Sequence, residues 1–159
     1  MSESALWKFS LRFYARPGVA HACIELQDAA GIDVNLLFLL MFFSECGRSV
    51  TGDDVARIDA AIAPWRNEVV KPLRAVRRKL KNELGVRNSE ALRSDVKRIE
   101  LESERLQQEA LFAMFPAASM GTAAPREATV RANLTAYAQY LGGAPQAPLD
   151  VVLRAFLAM

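Results

Sequence analysis

Residues 34–46 read VNLLFLLMFFSEC, and this stretch decides the fold class. It contains an uninterrupted apolar run from Leu36 to Phe43. Spanning a bilayer takes ~20 predominantly apolar residues, so a run of this length is typical of a buried helix. Asp33 can cap the start of this helix, and Gly47 can end it. Because the segment is apolar nearly all round, we predict that it forms the central helix of the core.

Apolar residues recur at three- and four-residue steps on both sides of the central segment, which indicates amphipathic helices. No alternating pattern typical of strands and no repeat of fixed period competes with them. We therefore predict an all-α fold, an irregular bundle of about six or seven helices around the central helix at 34–46. The chain length of 159 residues fits a single helical domain over residues 1–159.

Prolines and small residues interrupt this pattern in three places. The stretches 116–125 and 142–148 are expected to be loops, which leaves open a loose attachment of the C-terminal helices. Pro64 is expected to start a helix over residues 65–84, with Val69, Leu73 and Val76 facing inward. Pro72 lies inside that helix and predicts a kink or a break near residues 70–71.

The longest predicted helix covers about residues 90–115 and carries a regular apolar seam. The seam residues alternate four- and three-residue steps: Leu92, Val96, Ile99, Ser103, Leu106, Ala110 and Ala113. This spacing is typical of a coiled coil. The seam is expected either to be buried within the monomer or to pair with a second chain, in self-association or with a protein partner.

The chain lacks the features of a secreted or membrane-spanning protein. A basic region followed by an apolar segment and a small-residue cleavage site is missing at the N-terminus, so we expect no signal peptide and no transmembrane segment. Cys23 and Cys46 lie far apart in sequence, which favours reduced, core-filling thiols. We therefore expect a cytoplasmic protein.

Polar residues cluster at the predicted turn before the central helix. They are Gln27, Asp28, Asp33 and Asn35, with His21 and Glu25 one or two turns away on the preceding helix. In one interpretation, Asp33 caps the central helix and Asn35 or Gln27 ties the turn to a neighbouring helix. In the other, these residues form the polar floor of a small-molecule pocket. His21, Glu25 and Asp28 share one helix face and could also be an ordinary solvated surface.

Residues 64–87 contain 8 basic and 2 acidic side chains. On the predicted helix 65–84, the side opposite the inward-facing residues carries Lys71, Arg74, Arg78 and Lys81. Such a basic face can bind phosphates, nucleic acid, acidic lipid headgroups or an acidic protein. It can equally be a solvated surface, because no aromatic residues alternate with the basic ones.

Motifs that would indicate an enzyme are missing from the sequence. It contains no phosphate loop, dinucleotide fingerprint, nucleophile elbow or zinc-ligand spacing, and we predict neither a cofactor nor a metal site. Glu100, Glu102 and Glu104 are not expected to cluster, because residues two apart lie on different helix faces. The leading interpretation is a non-catalytic interaction or adaptor module. The alternatives are an anion- or nucleic-acid-binding module using the basic face, and a small-molecule-binding protein or enzyme with a pocket at residues 27–35.

The first half of the chain carries a recognisable set of segments. They are Trp7 and Phe9, Tyr14, Pro17-Gly18-Val19, Cys23, Leu26-Gln27-Asp28, Gly31, Asp33-Val34-Asn35-Leu36-Leu37, Trp65 and Pro72-Leu73-Arg74. Over roughly residues 5–112 the chain resembles a family of small uncharacterised proteobacterial proteins known by a domain-of-unknown-function label. The resemblance implies a helical protein of the bacterial cytoplasm. It implies no activity, because the family has none established.

Overall fold

Helices dominate the structure, a computed structural model that describes residues 2–82 and 84–159. A π-helical segment, Arg66–Val70, joins α4 to α5 without a break, so the described residues form seven helical rods. The prediction of an all-α bundle is confirmed. Within the same residues, no helix is both long enough and apolar enough to cross a membrane. The helices are α1 (Ala5–Tyr14), α2 (Val19–Ala30), α3 (Val34–Glu45), α4 (Gly52–Trp65), α5 (Lys71–Leu80), α6 (Glu90–Met114), α7 (Arg126–Tyr140) and α8 (Gln146–Leu157).

The apolar segment at residues 34–46 forms α3, the central helix. Leu36, Leu37, Leu39 and Leu40 are completely buried, which confirms its predicted position. Aromatic rings from α1, α3 and α8 pack at one side of it, where the Phe13 ring lies 5.5 Å from Phe38 and 6.4 Å from Phe156. Contacts of this kind contribute stability beyond the area that they bury.

The two C-terminal helices belong to the same core. Val130 and Tyr137 of α7 and Phe156 of α8 are buried in the same cluster as the residues of α3. Asn133 of α7 is also buried: its amide donates to the hydroxyl of Ser44 at 2.9 Å and accepts from the backbone N–H of Val50 at 2.8 Å. These bonds fasten α7 to α3 and to the chain that follows α3.

A small antiparallel sheet lies where the sequence predicted only a loop. Strand β1 (Arg48–Ser49) pairs with β2 (Thr122–Ala123), and the Arg48 guanidinium donates to the backbone carbonyls of Met120 and Gly121 at 2.7 and 2.8 Å. Two-residue strands are too short to show an alternating pattern, which is why the sequence did not reveal them.

The expected start of a helix at Pro64 is wrong, because Pro64 lies inside α4. A proline there leaves the carbonyl of Ala60 without its helical partner, and this is tolerated because Ala60 and Pro64 are both on the exposed side. A kink or a break was predicted near residues 70–71, and a break does not occur there. The π-helical segment joins α4 to α5, with the N–H of Lys71 donating to the carbonyl of Arg66, so the helix continues through Pro72.

Helix α6 packs on the core with a different face from the one that the seam suggested. Its buried residues are Glu100, Ser103, Gln107, Gln108 and Leu111. Of the seam, Leu92, Ile99 and Leu106 are 56%, 45% and 44% exposed, and of its seven members only Ser103 is buried. The first of the two expectations, burial of the seam within the monomer, is therefore wrong. The polar inner face of α6 instead forms one wall of the candidate site.

Candidate functional site

Asp33 joins three helices at the start of α3. Its Oδ1 accepts hydrogen bonds from the backbone N–H groups of Asn35 and Leu36 at 2.9 and 3.2 Å, which caps the helix. Its Oδ2 accepts from the side-chain amide of Gln107 on α6 at 2.7 Å and from Arg66 at 3.3 Å. The backbone N–H of Asp33 donates to the hydroxyl of Tyr137 at 2.9 Å, and burial raises the pKa of that tyrosine.

Arg66 completes this junction on the side of α4. Its guanidinium lies 2.6 Å from the carboxylate of Asp59 and 3.3 Å from that of Asp33. Burial opposes the charge of Arg66, but the hydrogen bond to Asp59 and the charge of Asp33 outweigh burial and raise the pKa of Arg66. The arginine therefore stays charged and holds the two carboxylates together.

A chain of side-chain hydrogen bonds continues from Asp33 through the interior. The Asn35 amide donates to Gln107 at 3.1 Å and accepts from Gln108 at 2.9 Å. Gln108 in turn accepts from the hydroxyl of Ser10 on α1 at 2.7 Å. Asn35 thus ties the turn to a neighbouring helix, α6, through the side chains of Gln107 and Gln108.

Arginines of α5 bind carboxylates of α6 directly beside this amide chain. Arg74 lies 3.1 Å from Glu100 and 2.9 Å from Glu104, and Arg77 binds Glu100 as well. Burial raises the pKa of Glu104, and the charge of Arg74 opposes that rise. The hydrogen bond to Glu100 raises the pKa of Arg77.

The expected inner and outer faces of α5 are therefore wrong. Arg74 does not lie on a face opposite the packed side of its helix, and Val76, expected inside, is 47% exposed. On α6, Glu102 lies on a different face and pairs with Arg105, so the three glutamates do not cluster. Glu100 and Glu104 form a pair, because they lie one turn apart on the same face of the helix.

A small cavity of about 110 Å³, lined by both polar and apolar side chains, lies at this junction. Its wall contains residues of the polar turn and residues of the basic face. From the polar turn come Gln27, Asp33 and Asn35, and from the basic face come Lys71 and Arg74; Gly31, Ile32, Val34, Arg66, Val70 and Gln107 complete the wall.

A larger cleft of about 600 Å³ adjoins the small cavity, since the two share Gln27, Val34, Asn35 and Arg74 in their walls. One side of the cleft is mainly apolar and is formed by α1, α2 and α3, with Trp7, Leu11, Tyr14, Cys23, Ile24 and Phe38. The other side is charged and is formed by α5 and α6, with Arg74, Arg77, Arg78, Lys97, Glu100 and Glu104. Such a combination of a concave apolar wall with a few polar groups is typical of ligand sites.

Four of the residues singled out from the sequence lie outside both cavities. His21 is 82% exposed and lies 2.7 Å from Glu25 on the surface of α2. Asp28 is also exposed and meets Arg78, which lines the larger cleft, at 3.3 Å. Lys81 is exposed beyond the end of α5. The row formed by His21, Glu25 and Asp28 is therefore a solvated helix face.

Sequence reasoning missed most of the charged and aromatic residues in the cleft. Gln107 and Gln108 gave a usable signal, because two adjacent amides lie beside the seam of a long helix. Trp7 and Tyr14 of α1 also line the cleft, and nothing in the spacing of apolar residues on a helix distinguishes a cleft wall from a core.

Cys23 is the cysteine in the wall of the cleft. Burial raises the pKa of the Cys23 thiol to about 12, so the thiol stays protonated at neutral pH and is a poor nucleophile. Within residues 2–82 and 84–159, no group of three or more histidine, cysteine or acidic side chains is arranged to bind a metal ion.

Comparison with known proteins assigns the chain to a family without assigning an activity. No curated protein matches the chain. No solved structure matches it either. The family model described as "Protein of unknown function (DUF2390)" matches residues 5–111, a range that includes α1 to α5 and most of α6 with every residue of the two cavities. The chain belongs to this family of proteins of unknown function.

Proposed function

We propose that this protein is a non-catalytic binding module of the bacterial cytoplasm that takes up a small molecule in the cleft between α1–α2 and α5–α6. The observation that carries the proposal is the shared wall of the two cavities at Gln27, Val34, Asn35 and Arg74. A single molecule can therefore contact the polar side chains of the small cavity and the apolar side of the larger cleft at once. A reducing compartment agrees with the two unpaired thiols, Cys23 in the interior and Cys46 on the surface.

The rigidity of the cleft supports a binding role. Its inner end is fixed by the amide chain through Asn35, and its charged side is fixed by the ion pairs of Arg74. A site that is ordered before its ligand arrives loses little conformational entropy on binding. The amide chain of Asn35 and the ion pairs of Arg74 are therefore in place before a ligand binds.

Substitution of Ile24 tests the proposal, because this exposed isoleucine lines the cleft. We expect Ile24→Glu to abolish saturable binding while the protein stays folded, since the new carboxylate would lie in the apolar wall. Ile99→Glu is the matched control: Ile99 is 45% exposed against 48% for Ile24, and it is outside the cleft. The probes are 4-butylbenzoate, 4-butylbenzyl alcohol and 4-butylbenzylamine, measured by isothermal titration calorimetry. If none of them binds the wild type saturably, or if Ile24→Glu binds like the wild type, the proposal is refuted.

An adaptor role is a second candidate, favoured by the exposure of Leu92, Ile99 and Leu106 along α6. These residues have the spacing of a coiled-coil seam, and an amphipathic helix of a partner protein would cover them. Ile99→Glu would weaken this association and leave ligand binding unchanged, so the two candidates predict opposite effects of the same pair of variants.

Docking of nucleic acid on the basic face has less support. Arg74 is bound by two carboxylates, and Arg78 meets Asp28. Counterion release requires side chains that are free to neutralise phosphates. We therefore place the anion-binding role of this face inside the cleft, on a small ligand.

A further inference from the structure

Most polar groups around the small cavity are already bound to one another. Asp33, Asn35, Arg66, Arg74 and Gln107 all take part in side-chain hydrogen bonds or ion pairs. The remaining polar side chains of the wall are Gln27 and Lys71, and neither has a side-chain hydrogen bond or an ion pair with any described residue. The cavity therefore offers a ligand one ammonium group and one amide.

One cation in the cavity wall is free to bind an anion. The ionisable residues of the wall are three cations, Arg66, Lys71 and Arg74, and one carboxylate, Asp33. Each arginine is already paired with two carboxylates, Arg66 with Asp33 and Asp59 and Arg74 with Glu100 and Glu104. Lys71 has no such partner among the described residues, so its ammonium group is the one that can pair with a ligand carboxylate. A volume of about 110 Å³ admits a head group rather than a whole ligand.

The larger cleft sets the character of the rest of the ligand. From Gln107 in the wall of the small cavity to Lys97 at the far end of the cleft, α6 advances by ten residues, or ~15 Å. Along this distance the opposite side presents Leu11, Tyr14, Ile24 and Phe38. A ligand whose head group lies beside Lys71 would therefore place an apolar body against these side chains.

We propose that the ligand is a monocarboxylic acid with an apolar body, whose carboxylate binds Lys71 and Gln27 and whose body lies along the apolar wall. The inference rests on the proposed binding function and adds the class of ligand to it. The geometry separates recognition into two parts: Lys71 and Gln27 select the head group, and the apolar wall accepts bodies of varied shape.

The test compares the three probes of the preceding section, which differ only in the head group. We expect 4-butylbenzoate to bind about tenfold more tightly than the alcohol, because a hydrogen bond between an ammonium group and a carboxylate is stronger than one between an ammonium group and a neutral hydroxyl. The amine should bind most weakly. Lys71→Gln should remove the preference for the acid, and Lys81→Gln is the matched control because Lys81 is an exposed lysine just beyond the end of α5 and outside both cavities.

The possible results distinguish failure of the carboxylate assignment from failure of the proposed binding function. Equal binding of all three probes, abolished by Ile24→Glu, would leave the binding function in place and overturn the carboxylate assignment. Tightest binding of the amine, or an unchanged preference for the acid in Lys71→Gln, would overturn the assignment in the same way. Failure of all three probes to bind would refute both.

Discussion

The carboxylate of Asp33 and the side-chain amide of Gln107 are joined by a hydrogen bond of 2.7 Å across 74 residues of sequence. The bond connects the first residue before the central helix with the inner face of α6. Because both residues also line the small cavity, the contact that holds the fold together there is part of the wall of the candidate site.

Asn35→Ala is expected to lower the free energy of unfolding by about 2–4 kcal/mol, because it leaves Gln107 and Gln108 buried without their partner. Urea denaturation followed by circular dichroism measures the change. Asp28→Ala is the control: Asp28 is exposed, with one contact to Arg78, so its loss should change stability by less than about 0.5 kcal/mol. Equal effects of the two substitutions would contradict the role assigned to the amide chain.

Gly121→Ala should destabilise the protein by roughly 3 kcal/mol, since two costs add at this position. Gly121 has a φ of 58°, and an added Cβ would overlap the backbone carbonyl of Ser49. Gly142→Ala isolates the first cost, because Gly142 has a φ of 81° and open space around its Cα. We expect the control to lose only about 1 kcal/mol in thermal or urea unfolding. A loss at Gly121 no greater than at Gly142 would show that the two-stranded sheet contributes little.

Glu104 is expected to make stability depend on pH with an unusual sign. Burial raises its pKa, so between the ordinary carboxyl range and the raised value the folded protein binds more protons than the unfolded chain. The contribution of this group to stability therefore falls as pH rises through that window. The free energies of unfolding of the wild type and of Glu104→Gln can be measured by urea denaturation over a pH series. Their difference, wild type minus variant, should fall as pH rises.

Glu102→Gln is the control for this experiment, because the hydrogen bond from Arg105 lowers the pKa of Glu102. The contribution of an acid with a lowered pKa is present above the ordinary carboxyl range and disappears as pH falls. The two difference curves should therefore slope in opposite directions. A flat curve for Glu104 would mean that Arg74 compensates its burial fully.

The sequence predicted those parts of the fold that depend on one continuous apolar segment or on a single capping residue. The apolar run from Leu36 to Phe43 identified the central helix, and Asp33 is the cap that its position indicated. The π-helical segment was predicted only as an irregularity, since Pro72 shows that a backbone donor is missing but not how the helix adapts.

The candidate site was harder to predict because it depends on which helix faces meet. Gln27 and Lys71 are 44 residues apart in the sequence, and only the tertiary fold brings them to the wall of one cavity. On α6, apolar spacing pointed to the wrong face. Buried amides and carboxylates can occupy an inner helix face when their partners lie on neighbouring helices, and a single helix pattern contains no information about those partners.

Leu106→Asp is expected to leave the fold intact, which distinguishes the exposed seam of α6 from its buried face. Leu106 is 44% exposed, so a carboxylate there stays in water, and the free energy of unfolding should change by less than about 1 kcal/mol. Leu111→Asp on the same helix is the matched variant: Leu111 is completely buried, and an unpaired carboxylate in its place should prevent folding. Circular dichroism and urea unfolding of the two proteins measure the contrast.

If α6 docks a partner helix through its seam, Leu106→Asp should also weaken that association in sedimentation experiments without loss of helical content. Unfolding of Leu106→Asp would instead show that the seam is covered within the monomer.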